Sequence, residues 1–565
     1  MPFPLSGRHP ISNKDVLSYT FDSPAYDPDK PVFIDAADPS HSLSHRQAKR
    51  LVLQLIAGLH HLGLEAGDTV CLHAFNSLYY PILSLAITGA GGMFIGTNPA
   101  YTAFELTHIL KIAKVRFVMA EPTILTEMEK AMNQIGIDLG QNLVLLNANH
   151  STSVSSPRAS TKYKSWTTLL DHGERPWIRF DDEERSTNTT ACLFSTSGTT
   201  GLPKCAATSH RNLVAQHQLF YEANPRSYRF STVLSMPFFH VGILPNVLIS
   251  VLREGRDAYI MQRFELKTFL SYHSKYNITE AFLVPPMVLQ IVKSGLADPK
   301  SPTYKYSLKT IRNAYTGAAP CSPILQKQFQ RLLGEGATVS QCWGMTETTS
   351  VATMVPKHLN DATVTGQVDT YGSVGIPLPE LQMKLVDTNG EDVTHTGFGV
   401  LCVKGDTVVR GYFENEKATK ESWDDDNYFK TGDVVRVNPE TGLLYVVERV
   451  KELIKVRGFQ VAPAELEAVL ISHPNIADAG VIGVQLSAEE ELPRAYVVRR
   501  EGTAASALTQ EDVQAYVSQR LVHYKALTGG VRFLDVLPKL ASGKILRRVL
   551  REMAEKEHPR IKSSL

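Results

Sequence analysis

Residues 195–204 read STSGTTGLPK and follow directly on the apolar, strand-like run Ala191-Cys192-Leu193-Phe194. Glycine lets backbone amides come close to a ligand, and serine and threonine hydroxyls add donors with little bulk. Lys204 at the end of the stretch brings a mobile positive charge. Such a string builds a nest for phosphate oxygens. Its spacing, Gly-x-x-Gly-x-x-Lys, differs from the GxxxxGK[ST] of the P-loop. Taken alone, a Gly/Ser/Thr string also serves as a polar surface turn, so the stretch has to be read with the rest of the chain.

Outward from the loop, strand-like and helical patterns alternate. Thr69-Val70-Cys71-Leu72 and Val115-Arg116-Phe117-Val118-Met119 read as buried strands, and Phe104 to Ile112 reads as a helix. That alternation predicts an α/β fold with largely parallel sheets. The Ser-rich stretch 150–164 is expected to be an exposed loop, and no fixed-period repeat suggests a solenoid. After about residue 447 the texture changes. A basic segment, 449–457, precedes a helix start at Pro463-Ala464-Glu465, which places a domain boundary near Lys451. At 565 residues the chain exceeds one ordinary core.

Composition narrows the function. Lys plus Arg (58) nearly cancels Asp plus Glu (57), so no charge bias points to nucleic acid or a membrane surface as partner. Six cysteines, Cys71, Cys192, Cys205, Cys321, Cys342 and Cys402, are scattered without a CxxC pair. That argues against a zinc site or a disulfide framework and for a reducing, cytoplasmic compartment. The N-terminus shows no apolar core of a signal peptide. Val233 to Leu252 reaches membrane length, but Pro237, His240, Pro245 and Asn246 interrupt it, so a buried core segment or pocket wall is expected instead of a span. The terminal Ser563-Ser564-Leu565 is similar to a peroxisomal address, except that Ser564 stands where a basic residue is usual. The peroxisome is therefore the alternative location.

STSGTTGLPK resembles the phosphate-binding signature of the adenylate-forming (AMP-binding) superfamily. Further stretches resemble that family's motifs in the same order: TNPAYTAFEL at 97–106, GAAP at 317–320, QCWGMTE at 341–347, GSVGIPLP at 372–379, TGD at 431–433, ERVKELIKVRGFQVAPAELE at 448–467 and SGKILRR at 542–548. The likeness runs from about residue 30 to residue 550 and is greatest to acyl-CoA synthetases of the 4-coumarate–CoA-ligase type. It implies a large N-terminal domain, 1–450, of sheets flanked by helices with a small β-barrel subdomain, and a small mobile α/β C-terminal domain, 451–565. It also implies that a carboxylic acid is joined to ATP with Mg²⁺ present, giving acyl-AMP and pyrophosphate, and that the acyl group then passes to CoA.

By the same resemblance, each motif carries a role. Thr196, Ser197, Gly198, Thr199, Thr200, Gly201 and Lys204 hold the β- and γ-phosphates. Gly317, Ala318, Ala319, Gln341, Cys342, Trp343 and Gly344 surround adenine, and Thr346 lies near the α-phosphate. Glu347 is the Mg²⁺ ligand, and Asp433 and Arg449 meet the ribose. Lys544 bridges the acid and the α-phosphate as a point charge, which suits a step dominated by positioning and electrostatic stabilisation. Lys455 and Gln460 act at the active site in one orientation of the C-terminal domain, and Lys451 is the hinge. Arg457 and Gly458 line the CoA path, and Arg263 meets a CoA phosphate. His240, Gly242, Asn246, Gly317, Cys342, Ser350 and Val351 line the acid pocket.

His240 stands where relatives that activate amino acids carry an aspartate. A buried ammonium would need such a partner, so a simple carboxylic acid is expected, aryl or medium-chain acyl. Asn246 is expected to hydrogen-bond a ring or chain hydroxyl. Three places depart from the pattern: Glu448 replaces the usual Asp before Arg449, Cys342 replaces a common Gly, and VKGDTVVRGY at 403–412 differs from the more usual RGP-containing version. A carrier-protein thiol is the alternative acceptor, and a non-catalytic nucleotide-binding module is the alternative of another class. A stand-alone monomer is expected.

Overall fold

The structure, a computed structural model, describes residues 9–146, 162–196, 203–356, 359, 368–387, 389–450, 452–456, 459–485, 491–502, 507–521, 523–539 and 543–557. Most of the Ser-rich stretch 150–164 and the terminal Ser563-Ser564-Leu565 lie outside these residues.

Two seven-stranded sheets form the larger part of the molecule. The first orders its strands Lys164–Ser165, Leu143–Leu145, Val115–Ala120, Thr69–His73, Met93–Gly96, Thr190–Thr196 and Lys204–Ser209. All neighbours are parallel except the last pair, which is antiparallel. The second runs Thr338–Gln341, Asn313–Thr316, Glu280–Leu283, Ser231–Leu234, Asp257–Ile260, Pro31–Asp35 and Ser42–Ser44, again parallel until its final antiparallel pair.

All five residues of Thr69–His73 are buried, as a parallel strand covered on both faces requires. Successive side chains serve different cores. Val70 and Leu72 join the apolar layer between the two sheets, while Cys71 faces the outer layer with Leu106, Ile109 and Met128. Helix Ala103–Ile112 closes that outer layer, started by a capping box in which Thr102 and Glu105 satisfy each other's backbone N–H. The outer face of the second sheet is covered by Leu266–Lys275, Pro285–Ser294 and Pro323–Gln330.

The stretch from Val233 to Leu252 lies almost wholly within the protein. It finishes a strand, turns through a loop at 235–245, and enters a π-helical turn, Asn246–Ser250, before helix Val251–Glu254. No helix among the described residues is long and apolar enough to cross a membrane. All six cysteines are buried free thiols.

The β-rich unit that follows is open. Gln382–Val386, Phe398–Lys404, Phe429–Val437 and Leu444–Arg449 form a four-stranded antiparallel sheet, and Trp343–Met345, Ser350–Met354 and Ile376–Pro377 a three-stranded one. One bridge, Gly375 to Leu444, joins them, and among the described residues no ladder closes the expected barrel. The linking strand is two residues long, and Pro377 has no N–H with which to extend it. Beyond residue 453 a separate core gathers Ile454, Val461, Leu466, Val481, Val497 and Val513 around the sheet Ile476–Gln485, Glu491–Arg499 and Val531–Phe533. The helix expected at Pro463 is present as Pro463–Ile471, with proline in its first turn.

Candidate active site

Strands Thr190–Thr196 and Lys204–Ser209 are antiparallel partners, and Thr196 lies opposite Lys204 in register. The pairing brings both ends of the phosphate stretch together at the edge of the first sheet. Ser197, Gly198, Thr199, Thr200 and Gly201 lie outside the described residues. Residues in and just after TNPAYTAFEL hold the two described flanks of the stretch: Tyr101 shares a hydrogen bond with the Ser195 side chain, and the His108 Nε2 is 2.8 Å from the Pro203 carbonyl.

Glu347 meets the Thr196 end of the phosphate stretch. The residue is 3% exposed, and its Oε1 accepts from the Thr196 hydroxyl at 3.2 Å and the Tyr412 hydroxyl at 2.9 Å. The Tyr412 ring also lies under the Lys204 ammonium, 4.8 Å from its centroid. Tyr412 is delivered by backbone pairing, with Phe413 N donating to Cys205 O at 2.8 Å and Ala207 N to Gly411 O at 3.1 Å. Burial, reinforced by the neighbouring Glu347 charge, raises its phenol well above the ordinary range, so it stays a donor. Tyr412 is a site residue that the motifs did not reveal; the departure of VKGDTVVRGY from the usual family sequence was its only signal.

Trp343, Asp433 and Arg449 form a second cluster. Asp433 pairs with Arg449 across antiparallel strands, accepting Arg449 Nε on Oδ1 at 2.8 Å and Trp343 Nε1 on Oδ2 at 2.8 Å. The indole is thereby fixed in plane, with Trp343 and Asp433 8% and 4% exposed. The turn from Trp343 to Val351 is tight. A Cβ on Gly344 would lie 1.7 Å from the Ser350 carbonyl oxygen, so only glycine fits, and Thr349 and Ser350 both adopt positive φ, 54° and 97°. Thr346 and Glu347 sit at the crest of this turn. Ala318 in GAAP is left-handed too, at φ 68°. The Gln341 side chain is directed into the fold: its Oε1 accepts Cys321 N at 2.7 Å and Gln326 Nε2 at 3.2 Å.

In the expected acid pocket, Gly242 N donates to His240 Nδ1 at 3.0 Å, which leaves the Nε2 edge of the imidazole to carry its proton. The ring is accessible yet surrounded by protein, and that desolvation lowers its pKa, favouring the neutral form. Ser350 Oγ reaches Gly242 O at 3.3 Å, which joins the two sides of the cleft. Cys342 and Val351 share one apolar layer, and burial pushes the Cys342 thiol up to about 12. Gly317 backs onto Cys342, whose carbonyl oxygen is 3.1 Å from the position a Cβ would take.

Asn246 is held on its oxygen side by the fold itself. Its Oδ1 accepts Arg256 Nη1 at 3.1 Å, its Nδ2 is sealed from solvent, and Arg256 is itself clamped by Glu254 at 2.6 and 2.9 Å. The amide oxygen thus braces the π-helical turn, while the buried Nδ2 has no hydrogen-bond partner among the described residues.

From the C-terminal unit, Gly543 docks on the helix Pro285–Ser294, where a Cβ would lie 2.2 Å from Pro286 Cγ. This carries the Lys544 ammonium into the neighbourhood of Arg449, Glu452 and Asp433. Burial, then the Arg449 charge, lowers its pKa; Glu452 and Asp433 oppose them. Lys455 and Gln460 are register partners across the hairpin Ile454–Val456 and Phe459–Val461. Lys451, Arg457 and Gly458 lie outside the described residues. Arg263 is exposed just after strand Asp257–Ile260 and pairs with no carboxylate among the described residues.

The profile of the AMP-binding enzyme family matches residues 21–413, and that of the AMP-binding enzyme C-terminal domain matches residues 465–544. The chain belongs to the AMP-binding enzymes. It is 43% identical to the acyl-CoA ligase azaF of Aspergillus niger over 552 residues, covering 97% of this chain and 100% of the relative. It is 43% identical over 559 residues to the phenylacetyl-CoA ligase epaB of Aspergillus niger, covering 99% and 100%. Among solved structures, ATP-bound MatB from Rhodopseudomonas palustris shares the fold, with a TM-score of 0.80 at 24% identity over 97% of this chain and 100% of that one.

Proposed function

We propose that the chain is an ATP-dependent acyl- or aryl-CoA ligase, with an N-terminal domain over 1–450 and a C-terminal domain over 451–565. In the first step a carboxylate oxygen of the acid attacks the α-phosphorus of ATP. The bond to the bridging oxygen breaks, pyrophosphate leaves, and acyl-AMP forms. In the second, the CoA sulfur, having lost its proton, attacks the acyl carbonyl carbon and AMP leaves.

The observation that carries this reading is the convergence of Lys544, Asp433 and Arg449 from two separate cores, next to a turn whose other end supplies Glu347 to the phosphate strand. Lys544 offers a positive charge where negative charge gathers on the α-phosphoryl oxygens, and a half-buried setting strengthens it. Asp433 retains lone pairs for ribose hydroxyls beyond the two it uses on Trp343 and Arg449. Trp343 offers its ring to adenine, and Lys204, Thr196 and the loop between them hold the β- and γ-phosphates. Glu347 and Thr196 provide the hard oxygen donors that suit Mg²⁺, which when bound neutralises phosphate charge. His240, Gly242, Ser350, Val351 and Cys342 border a mostly small, apolar acid pocket, which fits an aryl or medium-chain acid.

A panel of arylacetic, cinnamic, benzoic and medium-chain acids, phenylacetate among them, tests the reading with ATP, Mg²⁺ and CoA, following AMP release and acyl-CoA mass together. Acyl-CoA from one acid class is the expected result. AMP without acyl-CoA would move the acceptor to a carrier-protein thiol, and no AMP from any acid would overturn the ligase.

A further inference from the structure

One buried carboxylate near Arg547 has no part in the chemistry above. Glu448 lies near the end of strand Leu444–Arg449 and is 7% exposed. Its Oε1 accepts Arg449 N at 2.9 Å, its Oε2 accepts Ala464 N at 3.1 Å, and Arg547 Nη2 is 3.9 Å away. Ala464 is the second residue of helix Pro463–Ile471, whose N-cap, Ala462, provides no side-chain acceptor. Glu448 supplies from another element the side-chain acceptor that this helix start lacks, and adds its charge to that of Glu465 in the first turn. Arg547 begins the helix Arg547–Glu557, three residues after Lys544, and is itself gripped by Glu467 at 2.8 and 3.0 Å with Glu452 at 3.7 Å. One buried carboxylate on the strand that carries Arg449 thus holds both a helix start and the arginine next to the lysine's segment.

We infer that Glu448 is a positioning residue for adenylate formation, acting as a latch that holds the C-terminal unit where Lys544 lies beside Asp433 and Arg449. The inference rests on the ligase reading above. The two steps give the latch its purpose. Lys544 serves the attack on phosphorus, whereas the CoA sulfur must reach the acyl carbon at the same cleft, which the docked Gly543-Lys544 segment covers. Contacts that hold this segment must be firm in the first step and breakable before the second. A few hydrogen bonds from one carboxylate meet both demands, where a broad apolar interface would not. Glu448 precedes the expected pivot at Lys451 in the chain, while Ala464 and Arg547 follow it, so rotation about that point parts them.

Two substitutions separate latching from folding. Glu448→Gln keeps the side-chain volume and removes the charge facing Arg547. Ala464→Pro removes the N–H that Glu448 accepts, and the protein already begins helix Pro285–Ser294 with consecutive prolines, so its fold accommodates such a start. Acid-dependent pyrophosphate exchange reports the first step, and thioester formation from supplied acyl-adenylate reports the second. The probes are phenylacetate and its synthetic adenylate, or the pair for whichever acid the panel selects. Each variant is expected to slow exchange about tenfold while leaving thioester formation within about twofold of the parent protein. Equal losses in both steps, or unchanged exchange in either variant, would overturn the latch. A parent protein that forms no adenylate from any acid would instead overturn the ligase reading on which it stands.

Discussion

Tyr412→Phe removes a single oxygen and tests the part of the site that the motifs did not show. The hydroxyl donates to Glu347 Oε1 at 2.9 Å, and Glu347 is 3% exposed, with Thr196 as the other donor to that oxygen. A hydrogen bond to a charged group in such surroundings contributes about 1.5–3 kcal/mol, and each 1.36 kcal/mol is tenfold, so kcat/KM for ATP should fall about 10- to 150-fold. The ring survives the substitution, so Lys204 keeps the aromatic face 4.8 Å away. Tyr412→Leu also loses that contact, worth about 0.5–1 kcal/mol, and should be slower by a further two- to fivefold or so. Because burial and Glu347 keep the phenol protonated far beyond neutrality, the ratio of parent to variant rates should not change with pH through the working range. The assay is acid-dependent pyrophosphate exchange as a function of ATP concentration, in the parent and in a Glu347→Gln background. In that background the bond becomes a neutral one, worth about 0.5–1.5 kcal/mol, and Tyr412→Phe should cost correspondingly less. A variant within about twofold of the parent, or an equal loss in both backgrounds, would show that Tyr412 does not act through Glu347.

Lys544→Ala should nearly abolish pyrophosphate exchange, and near-normal exchange would refute its assignment. Since burial and Arg449 lower the Lys544 pKa, the ammonium is present below that value and lost above it; adenylation should therefore fall as pH rises through it, earlier than an ordinary lysine would allow. Lys544→Arg should remove that alkaline limb, whatever its rate, and an unchanged limb would assign it to another group. Trp343→Phe keeps an aromatic face but removes the 2.8 Å bond to Asp433, so KM for ATP should rise about tenfold; an unchanged KM would mean that Asp433 needs no orientation from the indole. Cys342→Gly should widen the acid range toward bulkier substrates, and an unchanged acid panel would place Cys342 outside the pocket wall.

Much of the fold was legible along the chain where the cause is local. Alternation of strand and helix patterns gave the parallel sheets, the Thr102 and Glu105 pair starts the helix in TNPAYTAFEL, and Pro463 opens its helix as expected. The interrupted apolar stretch around Pro237 and Pro245 is a strand, a turn and a short helical segment, as its prolines and polar residues required. The Arg256 partner of Asn246 was not legible, because sequence carries no sign of which way an amide points. The expected barrel stayed open because a strand of two residues ending in proline cannot extend its ladder.

The sequence by itself determined the chemistry available at each motif and the order of the motifs along the chain. A phosphate nest needs only neighbouring glycines, hydroxyls and a lysine, and a helix start only its own first turn. Tertiary structure alone decided which motifs meet. Thr196 and Tyr412 share Glu347 because a strand edge and a loop pair their backbones, Asp433 meets Arg449 through strand register, and Lys544 reaches both because Gly543 fits against Pro286. Those meetings depend on packing between residues far apart in the chain, where shape and register select the partner and local preference has no say.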